Sequence, residues 1–192
     1  MARWWWALSA VVMLSGCGIN NIPTYDEAVK AAWAQVQNQY QRRADLVPNL
    51  VATVKGYASH ESETLQAVVE ARAKVAQMNV TSDILTNPAA FKAFEDNQAA
   101  LTSALSRLMV VVERYPDLKA NQNFLQLQSQ LEGTENRISV ARRDYIAAVQ
   151  RYNTELRTFP GRIWHSLLYS DMTVKESFSA APTASEAPKV EF

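Results

Sequence analysis

The stretch NQYQRRADLVPNLVATVKGYASHE, Asn38 to Glu61, decides how this chain folds. Apolar residues recur at spacings of three and four through it and ahead of it: Val29, Trp33, Val36, Tyr40, then Arg43, then Val47, Leu50, Val54 and Tyr57. That spacing lays one side of an α-helix against a core. Two residues conflict with it. Arg43 occupies an inward position, and Pro48 stands in mid-helix, where it removes a hydrogen bond and crowds the preceding turn. The stripe keeps its register through Pro48, which predicts one kinked helix. The alternative is a second helix capped by Asp45, with Pro48 in its first turn.

Beyond Tyr57 the stripe slips. Gly56 and Ser59 mark a turn near 57–61, and a second helix carries Leu65, Val68 or Val69, Arg72 and Val75 to about Met78. NVTSDILTNP, Asn79 to Pro88, reads as a connector rich in turn residues. A third helix carries Phe91, Phe94, Leu101, Leu105, Leu108, Val112 and Tyr115, and RYPD stops it at Pro116. A long fourth helix carries Phe124, Leu127, Leu131, Ile138, Ala141, Tyr145, Tyr152 and Leu156. Strand-like alternation is absent. Short connectors make helical neighbours antiparallel. The expected fold is therefore all-α, an antiparallel up-and-down four-helix bundle with long first and fourth helices.

The inward arginine needs a partner. ARRDY, Ala141 to Tyr145, echoes QRRAD in the first helix. Facing residues of an antiparallel pair have a constant sum of indices, and Arg43 with Asp144 and Asp45 with Arg142 share the sum 187. A structural ion-pair layer of Arg43, Asp45, Arg142 and Asp144 is expected, setting register more than adding stability.

Composition limits function. The chain has 192 residues, with 19 basic and 19 acidic side chains. That balance argues against nucleic acid as a partner. Five glycines leave little material for phosphate-binding loops, and one cysteine excludes an internal disulfide. The two histidines, His60 and His165, lie far apart in sequence and show no metal-ligand spacing. No metal, cofactor or catalytic residue is expected. The acids Asp26, Glu27, Glu61 and Glu63 read as helix-start carboxylates, and Thr24 or Asp26 as the cap of the first helix.

The N-terminus reads as an address. MARWWWALSAVVMLSGC has one cation, Arg3, and an apolar run from Trp4 to Leu14. Eleven residues make a helix of about 16 Å against a hydrocarbon core of about 30 Å, too short to span stably. The run fits a signal-peptide core. Leu14-Ser15-Gly16-Cys17 resembles a bacterial lipobox, which implies cleavage after Gly16 and acylation of Cys17 by diacylglycerol and a further acyl chain such as palmitate. Several chains at one site anchor firmly. Gly18 in place of aspartate favours, by resemblance to sorting rules, the periplasmic face of the outer membrane.

The expected segments are a lipoprotein signal peptide (1–16), a tether (17–24), the helical bundle (25–158), a short amphipathic segment (159–171) and a flexible C-terminal tail (172–192). FPGRIWHSLLY, Phe159 to Tyr169, should return to the lipidated end. Packing against the base of the bundle and contact with the membrane interface are the two readings of its apolar face.

WAQVQNQYQRRADLVPNLVATVKGYASHE, LQAVVEARAKV, RYPDLKANQNFLQLQSQLEGTENRISVARRDYIAAVQRYN, FPGRI and the terminal APKVEF resemble the corresponding segments of the LemA family. The resemblance runs over roughly residues 25–192. It implies an envelope protein outside the cytoplasm, a helical bundle tethered at its N-terminus, and no catalytic residues. Family members more often carry a transmembrane helix where this chain carries a lipobox. The expected function is a lipid-anchored, non-enzymatic structural or interaction module of the bacterial envelope. Its expected partners are membrane lipid through acylated Cys17 and an unknown envelope protein, with a second copy of the chain as a further candidate. The alternative is an adaptor that presents Val190-Glu191-Phe192 to an envelope PDZ-type protease or chaperone, whose grooves capture terminal carboxylates.

Overall fold

The computed structural model describes residues 18–78 and 81–179 and, of Ser82, the backbone. The expected signal peptide, the cleavage point at Gly16 and the lipidation at Cys17 lie outside the described residues, as does 180–192. The elements are α1 (Asn21–Lys55), α2 (Ser62–Gln77), a 3-10 helix (Ser82–Thr86), α3 (Pro88–Val112), a one-turn α4 (Pro116–Lys119), α5 (Gln122–Arg157) and α6 (Gly161–Leu168). The described chain is all-helical, with no strand.

The helix starts follow local chemistry. Asn87 caps α3 by accepting the Ala90 N–H at 3.1 Å, with Pro88 in the first turn. Asn121 caps α5 through the Phe124 N–H at 3.0 Å. α1 begins at Asn21, ahead of both expected caps, and Asp26 faces inward. Gly18 has φ near +101°, a backbone that favours glycine.

α1 is one uninterrupted helix. Its stripe is buried from Val29 through Val54, Arg43 included, while Tyr57 is exposed beyond the helix end. Pro48 stands on the exposed side and leaves the Ala44 carbonyl without its usual i+4 donor. Arg72 of α2 supplies the missing bond, its Nε–H donating to that carbonyl at 2.9 Å. The proline is tolerated because a neighbouring helix satisfies the group it orphans.

α1 and α5 pack against one another along most of their length, α2 packs on α3, and α2 also meets α1. Residues whose numbers add to 178 face each other across the long pair, as Trp33 does Tyr145 and Arg43 does Glu135. That register differs by nine from the expected sum of 187. Nine residues are about two and a half helical turns, which turns the expected partners off the shared face.

The core falls into two clusters. The far one joins Val47, Leu50 and Val54 of α1 to Leu65 and Val68 of α2, Leu101 to Val112 of α3, Leu118, Phe124 and Leu131. The near one, toward Gly18, joins Val29, Trp33, Val36 and Tyr40 to Phe91, Phe94, Ile138, Tyr145, Val149 and Tyr152. α2, with 16 residues, supplies buried residues only to the far cluster. The near cluster is completed by Ile84 and Leu85 of the 3-10 helix and by Phe178 of the C-terminal segment. The connector is thus part of the core.

Residues 172–179 correct the expectation of a flexible tail over that stretch. They run extended back along α5 as a strap. Tyr152 Oη donates to the Thr173 carbonyl at 3.1 Å and Tyr145 Oη to the Glu176 carbonyl at 2.7 Å. Asn153 donates to the Lys175 carbonyl and accepts the Lys175 N–H, both at 2.9 Å. The Glu176 N–H donates to the Leu85 carbonyl at 2.7 Å. Phe178 then enters the aromatic cluster, 5.1 Å from Phe91 and 5.5 Å from Tyr145 between ring centroids. Such pairs add about 0.5–1.5 kcal/mol each beyond area burial.

α6 packs against the ends of α5 and α1. Gly161 makes this close approach: a Cβ there would lie 2.2 Å from the Glu155 carbonyl oxygen.

Candidate functional site

A polar layer separates the two apolar clusters. Arg43 reaches it from α1, Gln98 and Thr102 from α3, and Glu135 from α5. Gln98 and Thr102 stand four residues apart, so they share one helical face. The Arg43 guanidinium donates to Thr102 Oγ1 at 2.8 Å, Glu135 Oε1 at 3.0 Å, Gln98 Oε1 at 2.6 Å and the Gln98 carbonyl at 3.2 Å. The Tyr40 ring lies 5.0 Å from its centre. Arg43 is 1 % exposed, and its Nε–H has no partner among the described residues. Four hydrogen bonds, one of them to a carboxylate, make burial of the charge tolerable.

Of the four residues expected to form one ion-pair layer, only Arg43 is buried among the helices. Glu135 takes the place expected for Asp144. Asp144 is exposed beside Arg143, and Asp45 is exposed and accepts from Gln41 at 2.8 Å. Arg142 reaches Glu95 of α3 at 4.0 Å and lies over the Phe178 ring at 4.2 Å. The QRRAD and ARRDY echo is therefore not a contact. Glu135 lay within the quoted family segment, but only the true register singles it out.

Above Arg43 a cleft of about 690 Å³ opens between α3 and α5. Its wall includes Tyr40, Glu95, Gln98, Thr102, Ser103, Glu135, Ser139 and Arg142, with Phe178 and Ser179 at the strap end. Burial pushes the Glu95 carboxyl above the ordinary range, and Arg142 opposes this only in part. Both arginines already have carboxylate partners. Hydroxyl, amide and carboxylate groups with an aromatic edge suit hydrogen bonding to a polar or peptide-like guest. Neither histidine lines the cleft, and among the described residues no group of His, Cys, Asp and Glu converges as a metal site.

A second cluster pins the strap at the Gly18 end. The Asp26 carboxylate meets Lys30 at 2.8 Å and Lys175 at 3.0 Å. Burial alone would raise the Asp26 carboxyl, but its bonds to Lys30 and Lys175 overcome this and hold it below the usual range. Burial pushes the Tyr152 hydroxyl up to about 12, with Asp26 and Asp171 adding to the shift. Sequence reading missed the strap because its one strong signal, Phe178, stands beside a run rich in Ala, Pro and Ser. Among the described residues no helix is long and apolar enough to cross a membrane.

The LemA family profile matches residues 32–192. Magnetosome protein MamQ 2 of Paramagnetospirillum magneticum is 28% identical over 166 residues, covering 78% of this chain and 60% of the relative, and MamQ 1 of the same organism matches equally. Protein LemA of Metamycoplasma hominis is 26% identical over 140 residues, covering 73% of this chain and 60% of the relative. The chain thus spans about three fifths of the length of the relatives it matches. With a match over most of its length, polar layer and strap included, the chain belongs to the LemA family.

Proposed function

We propose that this chain is a membrane-tethered, non-enzymatic interaction module of the bacterial envelope, a four-helix bundle whose strap completes the membrane-proximal half. The observation that carries the reading is the placement of Gly18. It directly follows the lipobox-like Leu14-Ser15-Gly16-Cys17 and seats against Pro160 at one end of the long helices. An acylated Cys17 would hold that end at the bilayer and project the far cluster away from it. The convergence of α1, α2, α3 and α5 on the far cluster supports the bundle. Two of the buried charges are committed to structure: Arg43 to its four acceptors, Asp26 to two lysines. MamQ is named as a magnetosome protein, which supports a membrane setting. Periplasmic residence on the outer membrane follows from the Gly18 sorting argument.

The module would offer the Arg43 cleft and the α3–α5 surface to a protein partner. In the adaptor alternative, the strap fixes residue 179 on the body and the chain beyond it ends in Val190-Glu191-Phe192. Metabolic labelling with radioactive palmitate tests the tether: incorporation by the wild type and none by Cys17→Ser is expected, and an unmodified thiol in mature protein would end it. In-cell crosslinking with and without an aspartate appended after Phe192 separates the two readings. A partner lost on that addition belongs to the tail, and a partner retained belongs to the body.

A further inference from the structure

The end of the molecule that receives the tether carries an apolar face on which none of the described residues packs. Phe159, Ile163 and Leu167 recur every four residues and are 82%, 45% and 68% exposed; Leu168 beside them is 55% exposed. The other exposed large apolar residues among those described are scattered along the sequence, whereas these belong to one eight-residue helix and the turn before it. The opposite side of that helix is fixed. Trp164 packs against the near cluster, His165 Nε2 lies 2.8 Å from the Met172 carbonyl oxygen, and Gly161 abuts Glu155. The apolar face is therefore held outward by packing and has little conformational entropy left to lose on binding.

Two further observations say what covers it. The first is position. Asn21 donates to Glu155 at 3.1 Å, and a Cβ on Gly18 would lie 3.5 Å from Pro160. Residue 18 is thereby tied to the base of α6, and Cys17 is the residue that precedes it in the chain. The second is charge. Arg157 and Arg162 line one cleft together with Phe159 and Ile163. Cations ringing an apolar helix face are the pattern of interfacial binding to anionic lipid.

We propose that α6 and the preceding Phe159 form a membrane-docking face, which lies in the plane of the bilayer and seats Phe159, Ile163 and Leu167 among anionic phospholipids, with Arg157 and Arg162 at the headgroups. The inference rests on the tether reading and deepens it. The tether sets which end meets the membrane, and the face sets how the body is oriented upon it. The formal neutrality of the whole chain does not oppose this, because screening confines the attraction to charges within about 10 Å of the surface.

The test uses the full chain purified from bacterial membranes. Lipid on Cys17 blocks its thiol, so Leu167→Cys carries the one free thiol for an environment-sensitive nitrobenzoxadiazole label. Val110→Cys, on the far half of α3 and 71% exposed, is the control. After reconstitution into phosphatidylglycerol-containing vesicles, the label at 167 should shift to the blue and lose emission to nitroxide-bearing lipid, while that at 110 does neither. Arg157→Glu with Arg162→Glu should reduce the quenching to its level in pure phosphatidylcholine. Equal emission and equal quenching at 167 and 110 would overturn the docking face and leave the tether standing. Equal quenching in the two lipids would overturn the anionic preference. Labelling of the wild-type chain would overturn lipidation of Cys17 instead; the same comparison of 167 with 110 is then read in the Cys17→Ser background and decides the face by the same criterion.

Discussion

Arg72 donates its Nε–H to the Ala44 carbonyl across 2.9 Å, the carbonyl that Pro48 leaves without a donor. A side chain on α2 thus repairs a helix break on α1 and joins the two helices. Arg72→Ala should cost about 1–3 kcal/mol, the penalty of an unsatisfied buried group. In a Pro48→Ala background the Ala44 carbonyl regains a helical partner, so the same change should cost much less. Urea unfolding of the four proteins gives the coupling. Equal losses in both backgrounds would mean that Arg72 acts through packing alone.

The Arg43 layer makes an asymmetric prediction. Removing Glu135 leaves a buried cation without its carboxylate. Because the Glu135 side chain is 41% exposed, solvent screens part of the loss. Glu135→Ala should cost about 1–3 kcal/mol, below the range for a fully buried pair. Adding Arg43→Met removes the stranded charge, so the double change should cost less than the sum of the singles. Asp144→Ala should fall within about 0.5 kcal/mol of wild type. A loss above about 1 kcal/mol at Asp144 would favour the register summing to 187.

The strap is a structural element, so Phe178→Ala should behave as a core truncation. A loss of about 3 kcal/mol is expected, at the low end for a buried aromatic because an extended strap can partly collapse into the space. Hydrogen exchange locates the effect. The Lys175 and Glu176 amides, bonded to Asn153 and Leu85, should lose protection ahead of α2. Unchanged protection at both amides would show that Phe178 does not hold the strap.

Stability should also fall at both pH extremes. The folded Asp26 carboxyl titrates below its ordinary value of 3.8. Its contribution is therefore present above about pH 4 and lost as pH falls through the lower folded value. Tyr152 is raised from 10.0 to about 12, so its contribution is complete below pH 10 and lost as pH rises through about 12. Urea midpoints between pH 2 and 5 should show a slope that Asp26→Asn flattens. Ultraviolet absorbance should show Tyr152 ionising late. A Tyr152→Phe chain with the same alkaline loss would place that loss elsewhere.

Much of this protein is legible in one dimension. The three- and four-residue spacing from Val29 to Val54 specifies a buried helical stripe whatever surrounds it, because periodicity is a local property. The same spacing marks α2, α3 and α5. That Arg43 turns inward follows from its place in the stripe. Its partner does not, because pairing depends on how far one helix slides along another. Side-chain volumes around Trp33, Phe94 and Tyr145 determine that slide, and a symmetric echo of charges is no substitute for it. The repair of the Pro48 break likewise joins Arg72 to Ala44, 28 positions apart. The strap is the furthest from sequence logic. An extended segment has no helical period, and Phe178 is buried only because α2 leaves the near cluster uncovered. Whether an apolar residue finds a core depends on where the other elements stop, and only the tertiary structure decides that.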